Sequence, residues 1–155
     1  MRKTWILPLF ALLTLTASAA EMTVFVGENA GDAVVVQEDT GYALAYSDYD
    51  SGQVIRFARY DAAGNLVAGP VTLVDSRPFQ IDLKATGTGY LFFARFGLNE
   101  IRTLPLGPDG NPAGPWQVAA ASDDLHQFGV AEGARGEFIL VWPAEKTNLG
   151  FEIWS

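Results

Sequence analysis

The feature that most constrains the fold is an internal repeat. The stretch GYALAYSDYDSGQVIRFARYDAAGNLVAGP (41–70) is echoed by GYLFFARFGLNEIRTLPLGPDGNPAGP (89–115), and GEFILVW opens a third version at Gly136. The opening glycines Gly41 and Gly89 are 48 residues apart, and Gly136 follows 47 residues later. A period of this length predicts one supersecondary unit used three times, because a unit this small cannot bury its apolar face alone and must stack on its neighbours.

Within each unit, apolar side chains alternate with polar ones. The clearest alternating sets are Tyr42, Leu44 and Tyr46; Phe79, Ile81 and Leu83; and Phe138, Leu140 and Trp142. A period of two, rich in aromatic and β-branched residues, predicts strands. No stretch after residue 20 has helical periodicity of useful length. The sequence therefore predicts about a dozen short strands and no helix.

Turn residues separate the strands. The segments DAAGN (61–65) and PDGN (108–111) combine an acid with glycine and asparagine, as tight turns do, and Asp61 recurs at Asp109. The opening glycines are expected at tight turns that favour a positive φ. Pro70 and Pro115 are expected just before outer strands, where a missing N–H costs little.

Each unit thus reads as a four-stranded antiparallel meander, with boundaries near 31–74, 79–120 and 126–155. The units, and GYALAY…IRFARYDAAGNLVAGP above all, resemble the repeats of secreted bacterial β-propeller proteins over residues 31–155. The resemblance implies an all-β, propeller-like fold of three four-stranded blades. It leaves the function open, because propellers serve as lectins, adhesins, hydrolases and scaffolds alike.

Three units are fewer than the roughly four to eight blades of closed propellers. The third unit ends after its third strand, and the segment EMTVFV (21–26) is a candidate for its fourth. Three outcomes stay open: the chain assembles, for example as a dimer with a six-bladed ring; it is a piece of a longer repeat protein; or its strands curl into a β-sandwich or small barrel.

The first twenty residues, MRKTWILPLFALLTLTASAA, predict a signal peptide. Arg2 and Lys3 precede a short apolar run, and small residues at Ala17, Ala19 and Ala20 suit cleavage. The run is short for a bilayer span of roughly 20 residues. We expect a secreted or periplasmic domain over residues 21–155, with no integral membrane segment after cleavage.

Composition narrows the function classes. The chain has no cysteine, which excludes disulfides and thiolate metal sites. Cleavage would remove two of the ten basic residues and none of the eighteen acidic ones, for a mature net charge of −10. Such a surface repels phosphate backbones, so nucleic acid is not an expected partner.

The loop SDYDSG (47–52) offers a candidate metal site. Asp48 and Asp50 are paired carboxylates on a short loop, and Ca²⁺ prefers six to eight oxygen ligands. The competing interpretation is an ordinary hairpin turn, because Asp, Ser and Gly are default turn residues. No other cofactor is indicated.

Aromatic residues offer a candidate carbohydrate platform. Tyr49, in the hairpin, and Trp142, near a strand end, are the residues we select for it, although most aromatics in strands belong to the core. No catalytic residue is assigned, because His126 is the only histidine and no GxSxG turn is present. The arginines 56, 59, 95 and 102 are expected on solvent-facing strand surfaces.

The sequence therefore favours a secreted, non-enzymatic binding module whose ligand is an unknown glycan or protein, with homo-oligomerisation possible. A fragment of a secreted hydrolase propeller, with Asp48 or Asp50 as acids, is the alternative. A structural remnant of a longer repeat protein is the third.

Signal cleavage is tested by N-terminal sequencing of the exported protein. We expect the mature chain to begin at Ala20 or Glu21, because small residues stand immediately before both bonds. An exported chain that still begins at Met1 would contradict the assignment.

Overall fold

The computed structural model describes residues 30–123, 125–133, 137–144 and 148–154. The predicted signal peptide, the segment 21–26 and Gly136 lie outside the described residues. Their predicted roles therefore stay predictions.

The described residues form eleven strands. They are β1 (Ala30–Glu38), β2 (Gly41–Asp48), β3 (Val54–Asp61), β4 (Leu66–Val74), β5 (Gln80–Thr86), β6 (Gly89–Phe96), β7 (Glu100–Leu106), β8 (Gln117–Ala121), β9 (Gly129–Glu132), β10 (Phe138–Ala144) and β11 (Asn148–Trp154). The all-β prediction is confirmed.

The strands form three antiparallel meanders. Sheet 1 has the order β1-β2-β3-β4, sheet 2 the order β5-β6-β7-β8, and sheet 3 pairs β9, β10 and β11 in sequence. Four strands are found in the first two sheets, as predicted, whereas the third has three among the described residues. Within this part of the chain the sheets close neither a barrel nor a ring. It also contains no helix long and apolar enough to cross a membrane.

Each sheet has two faces that matter for packing. The front face is the one that carries Tyr42 in sheet 1, Tyr90 in sheet 2 and Phe138 in sheet 3. The back face is the opposite one, which carries Ala45 in sheet 1 and Phe93 in sheet 2. Successive residues of a strand point to opposite faces, so one strand supplies both.

The first apolar core lies between sheets 1 and 2. Ala45 and Phe57, which are cross-strand partners on the back of sheet 1, pack with Tyr90 and Phe92 on the front of sheet 2. The rings of Phe57 and Tyr90 have centroids 4.9 Å apart. Sheet 2 therefore stacks with its front on the back of sheet 1.

The second core repeats this arrangement one layer further on. Phe93, on the back of sheet 2, packs with Phe138, Leu140 and Trp142 on the front of sheet 3. The Phe93 and Phe138 ring centroids are 6.5 Å apart, in an edge-to-face arrangement. Sheet 2 is thus the middle layer of three.

The front of sheet 1 carries a smaller apolar cluster. Leu44 lies opposite Ala58, and both pack among Tyr42, Tyr46 and Tyr60. Tyr42 here occupies the strand position that Tyr90 and Phe138 occupy in the two interlayer cores. The three sheets thus present matching aromatic residues on the same face.

The first strands of consecutive sheets lie side by side, β1 beside β5 and β5 beside β9. A side-chain amide links the second pair. Gln80 Nε2 donates to the Phe128 carbonyl at 2.7 Å, and the Phe128 N–H donates to Gln80 Oε1 at 3.0 Å. This pair of hydrogen bonds, the Gln80 fork, ties sheet 2 to the chain entering β9.

Two predicted turns are both held by a hydrogen bond between an aspartate and an asparagine side chain, but the spacing between the two residues differs. Asp61 Oδ2 accepts from the Asn65 side chain at 2.9 Å, and Asp109 Oδ2 accepts from the Asn111 side chain at 2.7 Å. Asp61 stands four residues before its asparagine and Asp109 only two, so the two acids are not equivalent positions. In both turns the bonds from the asparagine lower the carboxyl pKa.

The glycines that open β2 and β6 are required by the close approach of the neighbouring strand. The expected positive φ is found at Gly89, where φ is 159°, and not at Gly41. A Cβ on Gly41 would collide with the Tyr60 carbonyl oxygen, and one on Gly89 with the Leu106 carbonyl oxygen. The neighbouring strand thus approaches so closely that only glycine fits.

Pro70 and Pro115 occupy different positions relative to the strands that they were expected to precede. Pro115 precedes β8, as predicted, but Pro70 lies inside β4, after a cis bond from Gly69. Because β4 is an edge strand of sheet 1, a residue without an N–H is tolerated there.

Gly41→Ala tests the close approach. We expect a loss of about 1–3 kcal/mol in the free energy of unfolding, the usual cost of overpacking. Urea denaturation followed by tryptophan fluorescence measures it.

Gly87→Ala is the matched control, because a Cβ there meets nothing within 4 Å. We expect a change below about 0.5 kcal/mol. Equal losses for the two variants would contradict this account of Gly41.

Candidate functional site

Two clefts open between sheets 1 and 2. The aromatic groove, of about 480 Å³, lies where β4 ends, and it is lined chiefly by Thr72, Asp75, Ser76, Phe96, Arg102 and Trp116. The turn cleft, of about 690 Å³, lies where β5 ends, and it is lined by residues of the β1–β2 and β5–β6 turns with Arg59, Tyr90 and Pro108. The two clefts therefore lie at opposite ends of the layers.

Trp116 forms the wall of the aromatic groove. It stands just before β8, is half-buried, and packs edge-on against Phe92 at 6.0 Å and Phe96 at 5.7 Å between ring centroids. Phe92 has no exposed surface. The indole is therefore held by the interlayer core while part of it faces the groove.

Polar groups surround this indole. The Arg102 guanidinium lies 5.3 Å above the Phe96 ring, and its Nη2 is 2.6 Å from a Glu100 carboxylate oxygen. Asp75 and Ser76 are exposed on the connection between β4 and β5. The groove thus offers an aromatic surface beside a carboxylate, a hydroxyl and a neutralised guanidinium.

The turn cleft has a polar floor whose groups bind one another. Arg59 Nε donates to Glu38 Oε2 at 2.8 Å, and the Tyr90 hydroxyl donates to Glu38 Oε1. Burial, followed by the bond to Glu38, raises the pKa of Tyr90. The bond to Glu38 also raises the pKa of Arg59. This network joins sheet 1 to sheet 2, so a structural role accounts for it.

Tyr49 and Trp142, the residues selected from the sequence, lie on different sheets. Tyr49 is half-buried in the β2–β3 loop, against Gly31 and beneath the Arg77 guanidinium, which is 5.3 Å from the ring centroid. Trp142 is only 9% exposed and belongs to the core between sheets 2 and 3. The fold does not bring the two rings together.

Asp48 shapes the hairpin loop. Its Oδ1 accepts from the backbone N–H groups of Asp50 at 3.1 Å and Ser51 at 3.2 Å, and its Oδ2 accepts from Arg56 Nε at 2.6 Å. Burial acts to raise the pKa of Asp48, but the bonds from Ser51 and Arg56 outweigh it and lower the pKa. A lowered pKa suits a permanent acceptor rather than the general acid of the hydrolase alternative.

Asp50 is exposed beside Asp48. Within the described ranges, no group of three or more His, Asp or Glu side chains is placed to hold a metal ion. Calcium binding by Asp48 and Asp50 stays a prediction.

The expectation that the four arginines face solvent is wrong most clearly for Arg95, while Arg59 and Arg102 line the clefts between sheets 1 and 2. Arg95 is 7% exposed and donates to the carbonyls of Gly97 at 2.8 Å and Leu125 at 3.1 Å. Its guanidinium lies 5.0 Å from the Phe79 ring centroid, and burial lowers its pKa. Arg95 thus donates hydrogen bonds to backbone carbonyls and joins sheet 2 to the segment before sheet 3.

The groove residues were not selected from the sequence. Trp116 follows the AGP turn, and that position beside a turn was the only signal for it. No local sequence pattern marks Asp75, Ser76 and Arg102 as a site, because they come together only where sheet 1 meets sheet 2.

No family model, no curated protein and no solved structure matches this chain. The functional argument therefore rests on the chemistry of the described residues.

The bonds of Asp48 predict a pH dependence. Because its folded pKa is lowered, the stabilisation is present above the ordinary pKa of about 3.9 and is lost as the pH falls through the folded value. We expect Asp48→Asn to be less stable than wild type at pH 7 and to lose less stability on acidification.

Urea denaturation across a pH series measures this. Asp50→Asn is the control, because it removes the same charge from the same loop without removing the acceptor of Arg56. An Asp48→Asn profile parallel to that of wild type would contradict the prediction.

Proposed function

We propose that this chain is a secreted or periplasmic, non-enzymatic binding module that takes a glycan in the aromatic groove. Its three stacked sheets are propeller-like layers. The side-by-side first strands support that description, because propeller blades meet along their innermost strands.

The observation that carries the proposal is the half-buried Trp116 beside Asp75, Ser76 and Arg102. A sugar ring has an apolar face that packs on an aromatic ring and hydroxyls that bond to carboxylates, hydroxyls and guanidinium groups. An aromatic wall with few polar groups is the usual composition of a small-molecule site.

Charge favours a neutral glycan over an anionic one. Arg102 is already neutralised by Glu100, and Asp75 is acidic. The mature surface, with a net charge of −10, would repel a polyanion. The hydrolase alternative has less support, because the Asp48 carboxylate is already bonded to Arg56 and to its own loop.

A glycan array followed by calorimetry on the best binder tests the proposal. We expect Asp75→Ala to weaken binding about ten- to a hundredfold, since a hydrogen bond to a charged group contributes roughly 1.5–3 kcal/mol. Asp75 is exposed, so this variant should fold normally.

Two further variants locate the site. Asp39→Ala removes a carboxylate that borders the turn cleft instead and should leave affinity unchanged. Tyr49→Ala should likewise have no effect. An array without a binder, or binding that Tyr49→Ala abolishes and Asp75→Ala does not, would contradict glycan binding in the groove.

A further inference from the structure

The back of sheet 2 holds one residue of the chain entering sheet 3 in two ways. The Gln80 side-chain amide exchanges two hydrogen bonds with the Phe128 backbone, at 2.7 Å and 3.0 Å. The Phe128 ring is 6% exposed and packs against Phe93, with 6.5 Å between the ring centroids. Sheet 2 thus binds both the main chain and the aromatic side chain of the same residue.

Sheet 3 carries the same two positions. Gln127 is 47 residues after Gln80, and Val141 is 48 residues after Phe93. The strand pairing agrees with this spacing, because each glutamine stands two residues before the cross-strand partner of the apolar residue. Gln127 and Val141 are therefore the counterparts of Gln80 and Phe93.

A pocket of about 280 Å³ lies at these positions of sheet 3, and we call it the sheet 3 socket. It is lined by Gln127, Phe128, Gly129, Val141, Trp142 and Pro143. Gln127 is exposed and its amide has no hydrogen-bond partner among the described residues, and Val141 is 37% exposed. An apolar surface and an unused amide thus border the same pocket.

The socket is lined by smaller residues than the corresponding part of sheet 2. Val141 takes the place of Phe93, and its cross-strand partner Gly129 takes the place of Asp82. A Cβ on Gly129 would meet nothing within 4 Å. Because a cavity of roughly 150 Å³ accepts a benzene ring, the socket has room for an aromatic side chain.

We propose that the sheet 3 socket binds an extended polypeptide segment, with Gln127 bonded to the main chain of one residue and Val141 against its large apolar side chain. A polypeptide is the occupant because the glutamine amide, a donor and an acceptor together, matches the N–H and C=O of one residue, as the Gln80 fork shows. An apolar small molecule would bury the amide without a partner, which costs free energy.

Charge further defines the segment. The net charge of the chain is −8, so a segment without acidic residues is favoured. The inference does not depend on glycan binding, because the aromatic groove lies between sheets 1 and 2.

A capped peptide of sequence HQFGVA tests the proposal. It reproduces segment 126–131 of the chain, which contains the residue that the Gln80 fork holds, and it carries no acidic side chain. Titrated into the folded chain and followed by nuclear magnetic resonance, it should give saturable shifts of the Gln127 side-chain amide and the Val141 methyl signals.

Three variants of the chain locate the site. Gln127→Ala should weaken peptide binding about fivefold or more, because two neutral hydrogen bonds are lost. Val141→Glu should abolish it by placing a charge against the apolar side chain. Both residues are exposed, so folding should survive, which circular dichroism checks. Gln117→Ala is the matched control, an exposed glutamine on the edge strand β8, and should leave binding unchanged.

Two modified peptides separate the two contacts. Replacement of the peptide's phenylalanine by alanine removes the ring, and N-methylation of that phenylalanine removes the N–H that would donate to Gln127. We expect both changes to weaken binding, and we expect N-methylation to matter less in Gln127→Ala than in wild type.

Three results would overturn the proposal. The first is the absence of saturable shifts with the parent peptide. The second is equal affinity of the parent and N-methylated peptides, which would indicate an apolar site that does not read the main chain. The third is a wild type that light scattering finds to be oligomeric and that Val141→Glu makes monomeric, which would place a second copy in the socket.

Discussion

The middle sheet is apolar on both faces, and the rest of the structure depends on covering both of them. Phe92 and Phe93 are neighbours in β6, and both have no exposed surface. Because successive side chains of a strand point to opposite faces, two separate layers are needed to bury this pair. Sheet 1 covers Phe92 and sheet 3 covers Phe93. At least three layers are therefore needed to bury both faces of β6.

Apolar burial is not directional, so polar contacts fix how the layers meet. Tyr90 and Arg59 bind Glu38 between sheets 1 and 2, and the Gln80 fork binds sheet 2 to the chain entering β9. The Glu38 network thus joins β1 to β6, and the Gln80 fork joins β5 to the chain entering β9. At the opposite end of the first interface, beside the outer strand β4, the aromatic groove walled by Trp116 stays open.

Alternation and turn residues were enough to predict the strands, the meanders and the lack of helix in the part of the chain that the structure describes, because these depend on neighbours in sequence. Contacts between residues far apart along the chain were beyond such patterns. Trp116 meets Phe96, and Arg95 reaches Leu125, across distances of twenty residues or more along the chain. For the same reason Trp142 was selected as a platform although sheet 2 buries it, and the close approach that requires Gly41 was taken for a turn preference.

The layer order is tested most directly by nuclear Overhauser contacts between aromatic rings. The account predicts cross-peaks between Phe57 and Tyr90, which join sheets 1 and 2, and between Phe93 and Phe138, which join sheets 2 and 3. It also predicts none between Phe57 and Phe138, because sheet 2 separates them. Cross-peaks between Phe57 and Phe138, or the absence of both expected sets from a well-resolved spectrum, would contradict the three-layer stack.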